Sequence, residues 1–166
     1  IQMDNFNWSQ FTKRIQIKSD LATIYNSWTK SAELEKWFLS KAVYFDSNGK
    51  NISATENVSA GCKYEWNWFA QNYFESGKVI TANGTDLFEF TFAGECKVQV
   101  KLSEVKNYVL VEITQKEIPL DNNSKQNIRL GCAFGWTFYL INLKSVLEGG
   151  LDLRNKDSEM EGLVNN

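Results

Sequence analysis

The chain has 166 residues, a formal net charge of −2, a pI near 5.3 and no histidine. This length suits one domain, which would bury about 70% of the unfolded surface. The balanced charge gives no basic field, so we expect neither nucleic acid nor a membrane as partner. Without histidine, the Ser-His and Cys-His nucleophile pairs and the commonest metal ligand are excluded. We therefore expect no metal, no cofactor and no catalytic residue.

The first third of the chain predicts one strand and two short helices. Residues 11–18 alternate between apolar and polar side chains, which indicates a half-buried strand. The stretch 20–38 has a helical pattern that we expect to part near Thr29. Ser31 then suits the N-cap of the second helix.

Five further segments predict strands: 62–69, 74–82, 87–92, 95–102 and 108–114. Several of them place aromatic or branched side chains on one face only. Their short connections favour antiparallel neighbours, in a meander with one wet face. The Asn83-Gly84 pair predicts a two-residue hairpin within this run.

The apolar stretch near the C-terminus predicts one long helix, from about Asn123 to Gly149. At about 100° per residue, one stripe of this helix is apolar. We expect that stripe to face the sheet; its residues are Cys132, Trp136, Tyr139, Leu140, Leu143 and Leu147.

The opposite side of the same helix carries Phe134, Phe138 and Ile141. Soluble monomers rarely leave such a stripe bare, so we expect something to cover it. The sequence does not decide between three candidates for this cover: the N-terminal segment with Phe6 and Trp8, the short helices, and a second copy of the chain in a homodimer.

Two glycines interrupt this helix, Gly131 and Gly135. Each costs about 1 kcal/mol relative to alanine inside a helix. We expect a bulky strand side chain to pack against them, or else a ligand to approach the backbone there. The three cysteines are widely spaced and predict buried free thiols rather than disulfides.

The order strand, two short helices, antiparallel meander and long C-terminal helix resembles the helix-grip fold of the START-like superfamily. Within it, the chain is similar to the family named for the activator of the heat-shock 90 chaperone ATPase. The similar segments are AELEKWFLS (32–40), GCKYEWNW (61–68), GKVI (77–80), VLVEITQ (109–115) and GWTFYLINLKSVLEGGLDLR (135–154). The Trp37-Phe38 pair, the Gly135-Trp136 pair and the Leu147–Gly150 ending are the most specific parts.

The resemblance implies an α+β helix-grip fold, with a curved antiparallel sheet wrapped around the long C-terminal helix. It implies one START-like domain over residues 1–166, with a core of about 10–154 and a flexible tail of 155–166, in the cytoplasm. Members of the family are mostly non-enzymatic. The better-known ones bind hydrophobic small molecules, stimulate a chaperone ATPase or protect against a reactive antibiotic. Eukaryotic activators carry a separate chaperone-binding domain, which we do not expect in this chain.

We therefore expect non-enzymatic binding of a small apolar or amphipathic ligand between the sheet and the C-terminal helix. Such pockets are apolar with a few polar groups. The residues expected to line it are Trp37, Trp66, Trp68, Phe88, Phe90, Phe92, Gln115, Arg129, Trp136 and Leu140. Arg129 would meet a carboxylate or phosphate at the opening, or else keep its charge in water over the sheet rim. Two alternatives stay open: a chaperone-associated or stress-related interaction module, and a cyclase- or hydrolase-like enzyme.

Overall fold

A computed structural model describes residues 5–70 and 73–166. One antiparallel sheet holds seven strands in the order β1-β7-β6-β5-β4-β3-β2. The strands are β1 (Phe11–Ile17), β2 (Lys41–Phe45), β3 (Lys63–Asn67), β4 (Phe74–Ala82), β5 (Leu87–Thr91), β6 (Lys97–Val105) and β7 (Tyr108–Lys116). The helices are α1 (Leu21–Thr29), α2 (Ser31–Leu34) and a C-terminal helix (Asn122–Leu147). The sheet curves around the C-terminal helix, which confirms the predicted α+β fold.

Two details of the first half differ from the prediction. Strand β2 has no predicted counterpart; it is short and pairs with β3 on one side. The predicted N-cap at Ser31 is wrong, because Ser31 is already the first residue of α2. The side-chain cap belongs to α1, where the Asp20 carboxylate accepts from the Thr23 amide at 2.8 Å.

The predicted two-residue hairpin is also wrong, because residues 83–86 all lie between β4 and β5. The Asn83 side-chain oxygen accepts from the amides of Thr85, Asp86 and Leu87, each at 3.0 Å. One side chain thus satisfies the backbone of a four-residue loop, which removes the need for a tight turn.

The C-terminal helix is not uniformly α-helical. Residues Lys125–Leu130 form a π-helical segment, and the α-helical part runs over Gly131–Leu147. The helix ends as predicted near Gly149, whose φ is +82°. By length and apolar composition alone this helix could cross a membrane, but a core helix meets the same criteria.

The core lies between the concave face of the sheet and this helix. Phe38 packs against both Trp66 and Trp136, with ring centroids 5.6 Å and 5.2 Å away. Phe90 also contacts both indoles. Trp66 and Trp136 therefore lie on the same side of the sheet, in one aromatic cluster.

Polar side chains anchor the chain that follows the helix; Asn142 together with residues 152–154 is here called the clasp. Asn142, fully buried, donates to the Trp37 carbonyl and accepts from the Leu153 amide, both at 2.7 Å. Arg154 is buried and donates to backbone carbonyls near α2 and to the Asp152 carboxylate, the latter at 2.8 Å. Residues 152–154 are therefore held firmly against the body of the domain.

Candidate functional site

A cavity of about 270 Å³, partly open to solvent, lies between the C-terminal helix and the sheet. Its wall is aromatic, and the rings belong to Phe38, Trp68, Tyr73, Phe92, Trp136 and Tyr139. A dry cavity of about 150 Å³ holds benzene. The space here is larger, and it suits a flat molecule of about two rings.

Gly131 and Gly135 form the helical side of this cavity. Among the residues that the structure describes, a Cβ atom added at Gly135 would meet nothing within 4 Å. One at Gly131 would meet only the Gln126 carbonyl oxygen, at 3.9 Å. The expectation that a strand side chain packs on these glycines is therefore wrong, and the space beside them belongs to the cavity.

Polar groups complete the wall. The Tyr139 hydroxyl donates to the backbone oxygen of Asn166 at 2.7 Å, and the Asn127 amide donates to the Asn123 side chain at 2.6 Å. Among the described residues, the lining contains no Asp, Glu, Lys or Arg. These side chains thus favour an uncharged ligand, because a buried charge without a partner is costly.

Gln115 lies behind the wall rather than in it. Its side-chain oxygen accepts from the Trp136 indole at 2.9 Å, so the fully buried amide fixes the orientation of that ring. Burial raises the pKa of the neighbouring Cys132 thiol to about 11, an effect that hydrogen bonding to Gln115 partly offsets. Cys132, which lines the cavity, is therefore a neutral thiol at physiological pH.

Of the residues predicted to bind a ligand, three line the cavity: Trp68, Phe92 and Trp136. The structure places five others in the filled core: Trp37, Trp66, Phe88, Phe90 and Leu140. The alternation of side chains along a strand shows which face is buried, but it does not show whether that face borders packed side chains or an empty cavity. Prediction missed Phe38, Tyr73, Asn127 and Asn166, which come from loops and from the π-helical segment.

Arg129 lies outside the cavity wall. Its Nε donates to the Asn7 carbonyl at 2.8 Å, and its guanidinium stacks over the rings of Phe6 and Phe11 at 4.5 Å and 4.9 Å. The residue falls within the π-helical segment, where the extra residue per turn changes the direction of the side chain. Arg129 therefore holds the N-terminal segment against the domain.

Within the described residues, the Phe134 side of the helix remains largely bare. Phe134 is 60% exposed and Ile141 is 48% exposed. Phe6 and Trp8 pack on each other and near the start of the helix, so they do not cover this face; residues 1–4 lie outside the described part. The short helices pack on the Trp136 side, so that expected cover is wrong. The part of the N-terminal cover that falls on residues 1–4 stays a prediction.

A family model described as "Activator of Hsp90 ATPase homolog 1-like protein" matches residues 18–148. The chain belongs to this family. The comparison with curated proteins finds no match.

Three solved structures illustrate the relationship. The Aha1 dimer from Colwellia psychrerythraea is 20% identical, with a TM-score of 0.68 and coverage of 85% of this chain and 97% of that one. A Staphylococcus saprophyticus protein is 16% identical, with a TM-score of 0.67 and coverage of 87% and 96%. An HSP90 activator from Plasmodium falciparum is 19% identical, with a TM-score of 0.59 and coverage of 84% and 96%. At these identities the likeness shows the shared helix-grip fold.

Proposed function

We propose that the chain binds a small, uncharged, flat apolar molecule in the cavity beside Gly135, without catalysing a reaction. One observation carries this proposal. Two glycines lie inside the helix where a methyl group would meet almost nothing in the described part of the chain. Alanine at either position would stabilise the helix by about 1 kcal/mol, so no packing requirement explains the glycines. The need to leave space for a ligand does explain them.

The chemistry of the wall supports the ligand class. Trp68, Phe92 and Trp136 offer ring faces and edges, which favour aromatic partners in stacked or edge-on arrangements. The hydroxyl of Tyr139 and the amide of Asn127 offer one or two hydrogen bonds. A flat two-ring molecule with one polar group fits both the volume and these partners.

The test is a titration with N-phenyl-1-naphthylamine, an uncharged aromatic probe that fluoresces in apolar surroundings. We expect the unmodified chain to bind it and Gly135→Leu to weaken binding at least about tenfold, or about 1.4 kcal/mol, by filling the cavity. The matched control is Gln126→Leu, which places the same side chain at an exposed position of the same helix, outside both the cavity wall and the groove beside Phe134. Equal affinity of the three folded proteins would show that the probe does not use the cavity.

A second candidate is a chaperone-associated interaction module, and the family membership favours it over the ligand hypothesis. We propose that such a module would use the exposed side of the helix, where Phe134, Phe138 and Ile141 border an apolar groove together with Thr137. This face is separate from the cavity, so the two functions are compatible.

This second candidate is tested with the heat-shock 90 chaperone of the same host. The chain should bind the chaperone and raise its ATPase rate, and Phe134→Ser with Phe138→Ser should abolish both effects. Gly135→Leu should leave them intact, because it changes only the cavity. No binding by the unmodified chain would refute the candidate. The cytoplasmic location is part of the same proposal, and fractionation of the host tests it.

A further inference from the structure

We propose that residues 155–166, here called the strap, form a lid that opens and closes the cavity. The strap is irregular and begins directly after Arg154, the last residue of the buried clasp. Its end returns to the cavity, where Asn166 forms part of the wall. A hinged lid needs one end that is held in place and another that contacts the cavity. The strap has both, at Arg154 and at Asn166.

The contact of the strap with the cavity is slight. The backbone oxygen of Asn166 accepts a hydrogen bond from the Tyr139 hydroxyl at 2.7 Å. On the other side of the helix, Val164 borders the groove that includes Phe134, yet Val164 is 67% exposed. The end of the strap therefore crosses the helix with little buried area, so little free energy is lost when it lifts.

Most of the other hydrogen bonds of the strap are internal. The Asn155 amide donates to the carbonyls of Asp157 and Met160, at 2.9 Å and 3.2 Å. The Asn155 backbone amide donates to the Asn165 carbonyl at 2.6 Å. The Asn165 side chain donates to the Leu153 carbonyl at 2.8 Å. Asn155 also hydrogen-bonds with the Asn166 side chain, at 2.8 Å. Asn155 thus shapes the strap and holds its last residue from a position outside the cavity wall, which lets the lid be weakened without replacing a residue of that wall.

The test uses the thiol of Cys132, which lines the cavity, as a reporter of access. The chain is treated with N-ethylmaleimide, and the rate of alkylation at each cysteine is measured by peptide mass spectrometry. We expect Asn155→Ala, and a chain ending at Arg154, to raise the Cys132 rate about fivefold or more, since losing hydrogen bonds shifts a local equilibrium by that order. The buried thiols of Cys62 and Cys96 should not change.

The matched control is Asn48→Ala, the same substitution at an exposed loop away from the cavity. An unchanged Cys132 rate in both strap variants would overturn the proposal. Equal acceleration at all three thiols would also overturn it, because the strap would then stabilise the whole fold rather than cover the cavity. The assay needs no ligand, so it stands even if the naphthylamine titration fails.

Discussion

Replacing Gly135 with alanine should stabilise the protein. The Cβ atom would meet nothing within 4 Å in residues 5–70 and 73–166, so the substitution creates no clash with them. Alanine is favoured over glycine inside a helix by about 1 kcal/mol, because glycine loses more backbone entropy on folding. For a domain of this size, that gain corresponds to a rise in melting temperature of about 3 °C.

Urea denaturation followed by tryptophan fluorescence measures this change, with a higher midpoint and an unchanged slope expected. The control is Gly77→Ala, which should change the free energy of unfolding in the opposite direction. A Cβ atom there would lie 2.5 Å from Thr91 Oγ1 and 2.7 Å from the Tyr64 ring, so we expect a loss of about 2 kcal/mol. Destabilisation by Gly135→Ala would refute the reasoning, because it would mean that the space beside Gly135 is already filled.

Three further predictions concern the rest of the domain. Asn142→Leu should lower the free energy of unfolding by about 2 kcal/mol, since the buried Trp37 carbonyl and the partly buried Leu153 amide lose their partner. A change near zero in urea denaturation would contradict the role of Asn142 in the clasp. Burial raises the pKa of Asp152, but side-chain hydrogen bonds, from Arg154 foremost, bring it below its ordinary value. The stabilisation that this carboxylate gives is therefore present above a pH of about 4 and is lost as the pH falls further. The difference in the free energy of unfolding between the unmodified chain and Asp152→Asn should therefore shrink between pH 6 and pH 3. A difference that stays constant over this range would refute the prediction. If the bare helix face pairs two copies, light scattering should show a dimer that Phe134→Ser with Phe138→Ser converts to a folded monomer, whereas a monomeric unmodified chain would exclude the homodimer.

The order and direction of most elements could be predicted from the sequence because alternation and helical periodicity are local signals. The stripe of Trp136, Leu140 and Leu143 indeed faces the core. Strand β2 was missed because residues 42–45 are all apolar, so the sequence does not show the alternation that the burial of this strand shows. The π-helical segment was missed because a regular helical period was assumed throughout.

The cavity was only partly accessible to prediction. Trp68 and Phe92 follow from strand parity, but whether an inward ring borders empty space depends on the packing of the elements that lie opposite. Asn166 reaches the wall because the strap folds back over the helix, and no pattern within the strap indicates this. The two helical glycines were the most informative local signal, because their cost within a helix called for an explanation.

The most direct test of the ligand proposal is native mass spectrometry of the protein purified from its own host under gentle conditions. We predict that the unmodified chain carries a small bound molecule, and that Gly135→Leu, purified in parallel, does not. An unmodified chain with only its own mass, or a bound molecule retained equally by Gly135→Leu, would contradict the proposal that the cavity is a ligand site.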